Sequence, residues 1–268
     1  MALSMSDPIS HPFLRRLANV LDAALPVLAF AGLIAIWELG TRLFSVPSFL
    51  LPAPSAILTA LYGMDLGLWL GHIWATVRVA LMGYGIAILV SIPLAIGLAT
   101  SRTLSRTLYP FLIVIQSMPI VAVAPIIVVT LGSGDLPRVL ITFLITFFPI
   151  VVSTTTGLMA TPPELIELSR SLRAGRSREI WHIRVPYAMP HIFSALRVST
   201  TLAMIGAVVA EFVSADQGLG YFITLSTSFF RIPAAFSGLV VLVILSLIFF
   251  KLIDLVQHRF AAWSLPKP

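Results

Sequence analysis

Six apolar runs, each long enough to cross a bilayer as a helix, dominate this sequence of 268 residues. A transmembrane helix needs about 20 mostly apolar residues. In lipid, every backbone polar group must be bonded within the protein, and the chain lacks the alternating pattern of a membrane barrel. We therefore predict an all-α, polytopic membrane protein with six transmembrane helices. The predicted spans are residues 20–38, 76–99, 108–131, 138–159, 191–213 and 235–256.

The composition supports a membrane protein and excludes several other classes. Only 10% of the residues are charged and 58% are hydrophobic, whereas a soluble domain carries roughly 25% charged residues. A net charge of +6 could indicate nucleic acid, but no basic stripe with interleaved aromatic residues is present, so we predict no nucleic-acid partner. The histidines lack metal-ligand spacing, the carboxylates are scattered, and cysteine is absent. We predict no catalytic residue and no metal site.

The arginines and lysines predict the orientation. If the N-terminus is cytoplasmic, thirteen of the 17 basic residues fall on the cytoplasmic side, as the positive-inside rule requires. Both termini are then cytoplasmic. Residues 1–19 form a cytoplasmic N-terminal segment, 20–258 the membrane domain and 259–268 a cytoplasmic tail. On the other side, segments 39–75 and 214–234 are each predicted to hold a short surface helix.

Charge is concentrated in one cytoplasmic segment, PPELIELSRSLRAGRSREIWHIRVP at residues 162–186, which holds eight of the chain's 17 basic and 11 acidic side chains. Thr161 and Glu164 have the spacing of a capping box, and Pro162 suits the first position of a helix. We therefore predict a short helix here that breaks at Gly175. A second short helix should begin with Ser177 as its N-cap and end before Pro186.

The first of these helices is predicted to be amphipathic. Leu165, Leu168 or Ser169, and Leu172 recur at helical spacing, so one side is apolar. Such a face at the membrane surface is suited to insertion into a groove on a soluble partner. A solvated charged loop is the alternative that the spacing leaves open.

The charged segment resembles the cytoplasmic EAA signature of bacterial ABC importer permeases. Glu167, Leu168 and Ser169 occupy the EAA positions, so both alanines are replaced, and the signature glycine falls on Arg173. The resemblance implies cytoplasmic coupling helices within residues 160–190 that dock on a separate ATPase. The residues that it assigns to this contact are Glu164, Leu165, Glu167, Leu168, Ser169, Arg170, Leu172, Arg173, Ala174 and Gly175.

A wider resemblance runs from about Trp37 to Trp263. The stretches FLLPAPSAIL, SMPIVAVAPIIVV, FFPIVVSTTTGL and AEFVSADQGLGYFI are similar to those of nitrate, taurine, alkanesulfonate and pyrimidine-precursor permeases. It implies a type I ABC importer fold in a bacterial inner membrane and a small, anionic or heteroaromatic solute. The implied partners are a second copy of the chain, two cytoplasmic ATPase subunits that bind ATP and Mg, and a solute-binding protein. The chain's two lysines lie outside any Gly-rich phosphate loop, so no ATP site is expected in it.

Polar residues within the predicted spans are candidates for the substrate path. Interhelical packing is the alternative for each Ser and Thr, and Glu211 could instead pair with Arg78, gate the mouth or be hydrated. An ion-coupled secondary transporter is the alternative function, although that class usually needs ionisable groups near the bilayer midplane. The path candidates are Gln116, Ser117, Met118, Ser199, Thr200, Met204 and Glu211, with the stretch 153–156 and Thr201 as further possibilities.

Overall fold

The computed structural model describes residues 12–265, with side chains from residue 24 onward, and the regular structure in this part of the chain is helical. The predicted N-terminal segment 1–19 overlaps the first helix. The helices are α1 (Pro12–Leu43), α2 (Pro54–Tyr62), α3 (Leu66–Thr100), α4 (Arg102–Gln116), α5 (Ile120–Leu131), α6 (Asp135–Met159), α7 (Pro163–Ser171), α8 (Arg176–Glu179), α9 (Val185–Ser214), α10 (Leu219–Ser228) and α11 (Ile232–Phe260).

Five helical runs of the described chain are long and apolar enough to cross a membrane, and a bent pair makes a sixth. The five are α1, α3, α6, the combined run Arg176–Ser214 and α11. The prediction of an all-α membrane protein is confirmed, and six spans result when the bent pair counts as one. The short helices predicted between spans are present as α2 and α10.

The third span, predicted over residues 108–131, is not a single straight helix. It is broken between α4 and α5, which meet at 93°. Pro119 precedes α5 in an extended conformation, with ψ at 95°. A proline has no N–H to donate and disfavours helical geometry in the residue before it. The helix therefore stops at Gln116 and restarts in a new direction.

Helices α3, α6 and α9 form the centre of the molecule. A Cβ added at Gly83 of α3 would lie 2.6 Å from the Cβ of Thr142 on α6, and one at Gly206 of α9 would lie 2.9 Å from the Thr142 Cα. Both distances are far inside van der Waals contact. The three backbones approach this closely because the two glycines lack side chains, which is how small residues promote helix association in membranes.

Two hydrogen bonds hold the same three helices in register. The Tyr84 hydroxyl of α3 donates to the Leu196 carbonyl of α9 at 3.0 Å, and the Ser91 hydroxyl donates to the Phe147 carbonyl of α6 at 3.1 Å. Both bonds are buried. The α7–α8 segment follows α6 at one end of this bundle, called the α7 end, whereas α10 follows α9 at the opposite end, called the α10 end.

The contact at Gly83 gives a first prediction. Gly83→Val should lower the free energy of unfolding by about 1–3 kcal/mol, because overpacking forces neighbouring backbone and side chains to shift. Gly85→Val is the matched control, since a Cβ at Gly85 has nothing within 4 Å. The thermal midpoint of each variant in detergent measures the effect. Equal midpoints for the two variants would contradict the close packing of α3 against α6.

Candidate functional site

The start of α7 differs from the predicted capping box. The helix begins at Pro163, with Pro162 as an N-cap that makes no side-chain bond. The Thr161 hydroxyl is buried and donates instead to the Leu158 carbonyl at 3.1 Å. The prediction was wrong because Thr161 satisfies the end of α6 rather than the start of α7. The following proline lacks an N–H, so the loss of the cap costs α7 little.

Helix α7 has one face against the protein and one face turned outward. Ile166 and Ser169 are buried, whereas Leu165, Leu168 and Leu172 are 39%, 56% and 73% exposed. These three leucines, called the leucine strip, form an apolar surface that the described chain leaves uncovered. Of the predicted contact residues, Ser169 is the one turned inward. An exposed apolar strip of this kind is characteristic of an interaction site.

The charged members of the predicted set lie around the leucine strip. Glu164, Glu167 and Arg170 are exposed on α7, and Arg173 is exposed in the turn that follows it. Ala174 is partly buried. A partner that covers the strip would therefore meet both signs of charge at its rim, which favours one orientation of docking.

The turn after α7 is formed by Arg173, not by Gly175 as predicted. Arg173 has φ +52°, in the left-handed region, whereas Gly175 is extended with φ −65°. The Arg173 N–H bonds to the Arg170 carbonyl at 2.9 Å and the Ala174 N–H to the Ser169 carbonyl at 3.0 Å. This is a Schellman cap, whose left-handed residue is usually glycine. Arg173 thus has the conformation that a glycine at the EAA signature position would adopt easily.

Two arginines attach the α7–α8 segment to the transmembrane helices. The Arg176 guanidinium donates to the carbonyl of Thr100, the last residue of α3. Arg184 donates to Glu179 at 2.8 Å and to the Leu158 carbonyl near the end of α6 at 3.4 Å. Carbonyls at a helix C-terminus lack partners within the helix and carry partial negative charge. The arginines satisfy both needs and fix the segment to α3 and α6.

The α8 helix continues into α9, contrary to the prediction that it would end before Pro186. Residues 180–184 form one π-helical turn, in which the Val185 N–H bonds to the Ile180 carbonyl. Pro186 lies in the first turn of α9, where its missing N–H removes little. The N-cap of α8 is Gly175, not Ser177. The charged segment is therefore joined to a transmembrane helix without an intervening loop.

The predicted path residues fall into two separate groups. Gln116, Ser117 and Met118 lie at the break between α4 and α5, and all three are exposed. Ser199, Thr200 and Met204 are buried in the interior of the bundle, and the Thr200 hydroxyl donates to the Arg197 carbonyl at 2.7 Å. The first group is exposed in this conformation, and so are Thr156 and Thr201 among the further possibilities, whereas Thr154 and Thr155 are buried. The role of these residues in a path stays a prediction.

Glu211 is buried under the start of α10. Its carboxylate accepts the Gly220 N–H at 2.7 Å, while the Thr76 hydroxyl accepts the Leu219 N–H at 2.8 Å. His72 accepts the Gly218 N–H at 3.2 Å. Three successive N–H groups are thus held by side chains of α3 and α9. Glu211 is therefore shielded from bulk solvent, and it does not pair with Arg78, which contacts Asp135 instead. A gating role for Glu211 stays a prediction. Sequence reasoning missed the roles of His72 and Thr76.

Comparison with known proteins identifies the family. Residues 87–263 match the family described as binding-protein-dependent transport system inner membrane component. The chain belongs to this family. It is 32% identical over 238 residues to the formylaminopyrimidine transport permease of Halalkalibacterium halodurans, covering 89% of this chain and 95% of the relative. It is 34% identical over 233 residues to the riboflavin transport system permease of Chloroflexus aurantiacus, covering 87% of each.

More distant similarities agree. The taurine transport system permease of Escherichia coli is 26% identical over 249 residues, with 90% of each chain covered. An inward-facing structure of the MetNI methionine ABC transporter has a TM-score of 0.63 at 21% identity, over 76% of this chain and 100% of that one. At this identity the match shows the fold. The predicted resemblance is confirmed: the protein is an ABC importer permease with a multi-pass membrane domain.

The conformation of Arg173 gives a second prediction. Arg173→Gly should slow hydrogen exchange in residues 163–175, because a left-handed conformation costs a non-glycine residue roughly 1–2 kcal/mol. Arg170→Gly should speed exchange in the same peptide, since glycine within a helix destabilises it. Hydrogen-exchange mass spectrometry then compares an Arg-to-Gly change at two positions, for which we expect opposite changes in the exchange rate. Faster exchange in both would show that the Arg173 side chain stabilises the turn.

Proposed function

We propose that this permease is the membrane subunit of an ATP-driven importer and that its α7–α8 segment docks on a separate cytoplasmic ATPase. The observation that carries the proposal is the leucine strip, an uncovered apolar surface on a helix that is capped and fixed to the membrane bundle. A helix inserted in a groove is a recurrent mode of protein recognition. The exposed charges around the strip would select the orientation of the ATPase.

The attachments of the segment supply a route for mechanical coupling. A displacement of α7–α8 would act on α3 through Arg176, on α6 through Arg184 and on α9 through the π-helical turn. These are the three helices that pack closely at Thr142. Closely packed helices move as rigid bodies, since packed interfaces resist continuous deformation. A push at the α7 end would therefore tilt the central bundle as a unit.

The energy source would lie on the partner chains. Of the two lysines, Lys251 lies within α11 and Lys267 lies outside the described residues. Neither belongs to a phosphate-binding loop in the sequence, so ATP and Mg would be bound by the ATPase. The α7 end and both termini would face the cytoplasm, and the α10 end would receive solute from a binding protein. The boundaries at residues 19 and 258 stay predictions.

A second copy of the chain would complete the transporter. One docking segment per chain fits two ATPase subunits on a symmetric pair of permeases. The break between α4 and α5 leaves the Gln116 amide and apolar residues such as Met118 uncovered. An amide at membrane depth needs hydrogen-bond partners, which a second copy or a shared solute path would provide. The homodimer is therefore the assembly that we propose.

The transported solute is proposed to be small and anionic or heteroaromatic. The relatives named for transport of formylaminopyrimidine, riboflavin and taurine span such compounds. Their diversity at similar identity to this chain indicates that the permease sequence constrains the solute weakly. Selection by the separate binding protein would account for this.

Co-purification tests the docking proposal. The tagged chain, extracted from its native membrane in mild detergent, should bring down a stoichiometric ATPase. Glu167→Lys and Leu172→Asp should each reduce the recovered ATPase at least about tenfold, a change equivalent to about 1.4 kcal/mol. Leu66→Asp is the matched control, because Leu66 is exposed on the first turn of α3, at the α10 end.

The outcomes separate the alternatives. Loss of the ATPase in both α7 variants, with the control unchanged, would support the proposal. Recovery of the chain alone, together with uptake into vesicles that needs an ion gradient and no ATP, would overturn it in favour of an ion-coupled transporter. Equal loss in Leu66→Asp would show that the variants disturb membrane insertion, and docking through α7 would then be abandoned.

A further inference from the structure

We infer that a cleft at the α10 end binds an oxyanion group, such as a carboxylate, sulfonate, nitrate or phosphate, between Arg78 and Arg138. The inference deepens the proposed function, because it gives the anionic solute a first contact on the permease. The shared chemistry is a planar or tetrahedral set of oxygens that accept hydrogen bonds from guanidinium groups.

The cleft has a volume of about 630 Å³, enough for a small solute. It lies between α3, the turn that precedes α6 and the connection from α9 to α10. Its lining includes Arg78 and Arg138, residues 133–135 and residues 214–217. Helix α6 begins at Asp135, and its N-cap Gly134 makes no side-chain bond. The first N–H groups of α6 therefore add partial positive charge at the cleft.

Arg138 is the central group of this cleft. It is only 8% exposed, and one of its terminal nitrogens donates to the Ser214 carbonyl at 2.6 Å. Its remaining polar contacts are long, 3.9 Å to Asp135 and 3.5 Å to Asp216. Its Nε has no partner among the described residues. A guanidinium carries five N–H donors. Nε itself is fully buried, so the donors open to a ligand are those of the terminal nitrogens, of which Nη1 makes the 3.9 Å contact with Asp135.

Asp135 shows how an anion fits between the two arginines. One of its oxygens lies 2.6 Å from the Arg78 guanidinium and the other lies 3.9 Å from that of Arg138. A carboxylate thus already spans the gap on the α6 side. Arg78 is itself half-exposed toward the cleft, so it can contact a further oxyanion without losing Asp135.

Asp216 is the group that an incoming anion would displace. Its side chain is 89% exposed, and its 3.5 Å contact with Arg138 is the long limit of a hydrogen bond. Because the Asp216 carboxylate stays solvated and the contact is long, this pair contributes little free energy. On α9, one carboxylate oxygen of Glu211 accepts the Gly220 N–H under α10, and the other has no hydrogen-bond partner among the described residues. Asp216 therefore competes weakly for Arg138, and its removal should favour the ligand.

The test uses the full chain in phosphatidylcholine nanodiscs, with no ATPase or binding protein. Sodium methanesulfonate, acetate and nitrate are titrated at ionic strength held constant with sodium chloride. The thermal midpoint reports binding, since a ligand that binds the folded state stabilises it by mass action. At least one of the three anions should raise the midpoint saturably.

Two variants of the cleft are expected to change the apparent affinity for the anion in opposite directions. Arg78→Gln should weaken the apparent affinity at least about fivefold, because it removes a charge-assisted donor. Asp216→Asn should strengthen it at least about twofold, because it removes the competing carboxylate. Arg231→Gln, an exposed arginine that does not line the cleft, is the control and should change nothing. Arg138→Lys keeps the buried charge but removes the planar fork, and it should weaken binding if it folds.

Two results would overturn the inference. The first is no saturable rise with any of the three anions. The second is loss of affinity in both Arg78→Gln and Asp216→Asn, which would identify the cluster as a structural ion-pair network. Arg78 and Asp216 are exposed enough that their variants should fold, so these results do not depend on Arg138→Lys. Co-purified ATPase without anion binding would refute this inference alone, whereas anion binding without any ATPase would refute the proposed function alone.

The source of the oxyanion can also be distinguished. Replacing part of the phosphatidylcholine with phosphatidylglycerol supplies an anionic headgroup at the membrane surface. If the headgroup occupies the cleft, the apparent affinity for methanesulfonate should fall in the original chain and not in Arg78→Gln. An unchanged affinity would assign the cleft to a free solute. Both results support an oxyanion site.

Discussion

The approach of three helix backbones at Thr142 is the constraint on which the rest of the structure depends. Gly83 and Gly206 bring α3 and α9 against the same residue of α6. In lipid, apolar side chains gain little by leaving the hydrocarbon, so close backbone packing and buried hydrogen bonds must hold helices together. The bonds from Tyr84 and Ser91 join the same three helices. Both candidate sites are built from the ends of these three helices.

The two ends are stabilised by different chemistry. At the α7 end, arginines donate to carbonyls that terminate α3 and α6. At the α10 end, side-chain acceptors hold the first N–H groups of α10, as Glu211 does for Gly220. Each device satisfies backbone groups that helix geometry leaves unpaired. Each end of the bundle therefore holds one short helix firmly. These are α7, at the end where we propose a protein partner, and α10, at the end where we propose that a solute arrives.

The sequence predicted the spans well because apolar length is a local property that lipid enforces. It also contained the signal for the broken third span, since Pro119 marks the bend, although the angle depends on packing. The contact of Arg176 with Thr100 could not be predicted, because it joins residues 76 positions apart. The left-handed Arg173 was missed for another reason: propensity favours the nearby Gly175, but the length of α7 places the turn two residues earlier.

The π-helical turn that joins α8 to α9 makes residues 176–214 one uninterrupted helical run of 39 residues. At about 1.5 Å per residue its length along the helical path is roughly 58 Å, nearly twice the hydrocarbon thickness of about 30 Å. Arg176, the first residue of this run, donates to the carbonyl of the last residue of α3. Ser214, the last residue of the run, accepts a hydrogen bond from Arg138 of α6 through its carbonyl. Each end of the run is thus tied to another transmembrane helix. In the proposed coupling, the length of this run, rather than any relay of side chains, would set how far a small rotation at one end displaces the other.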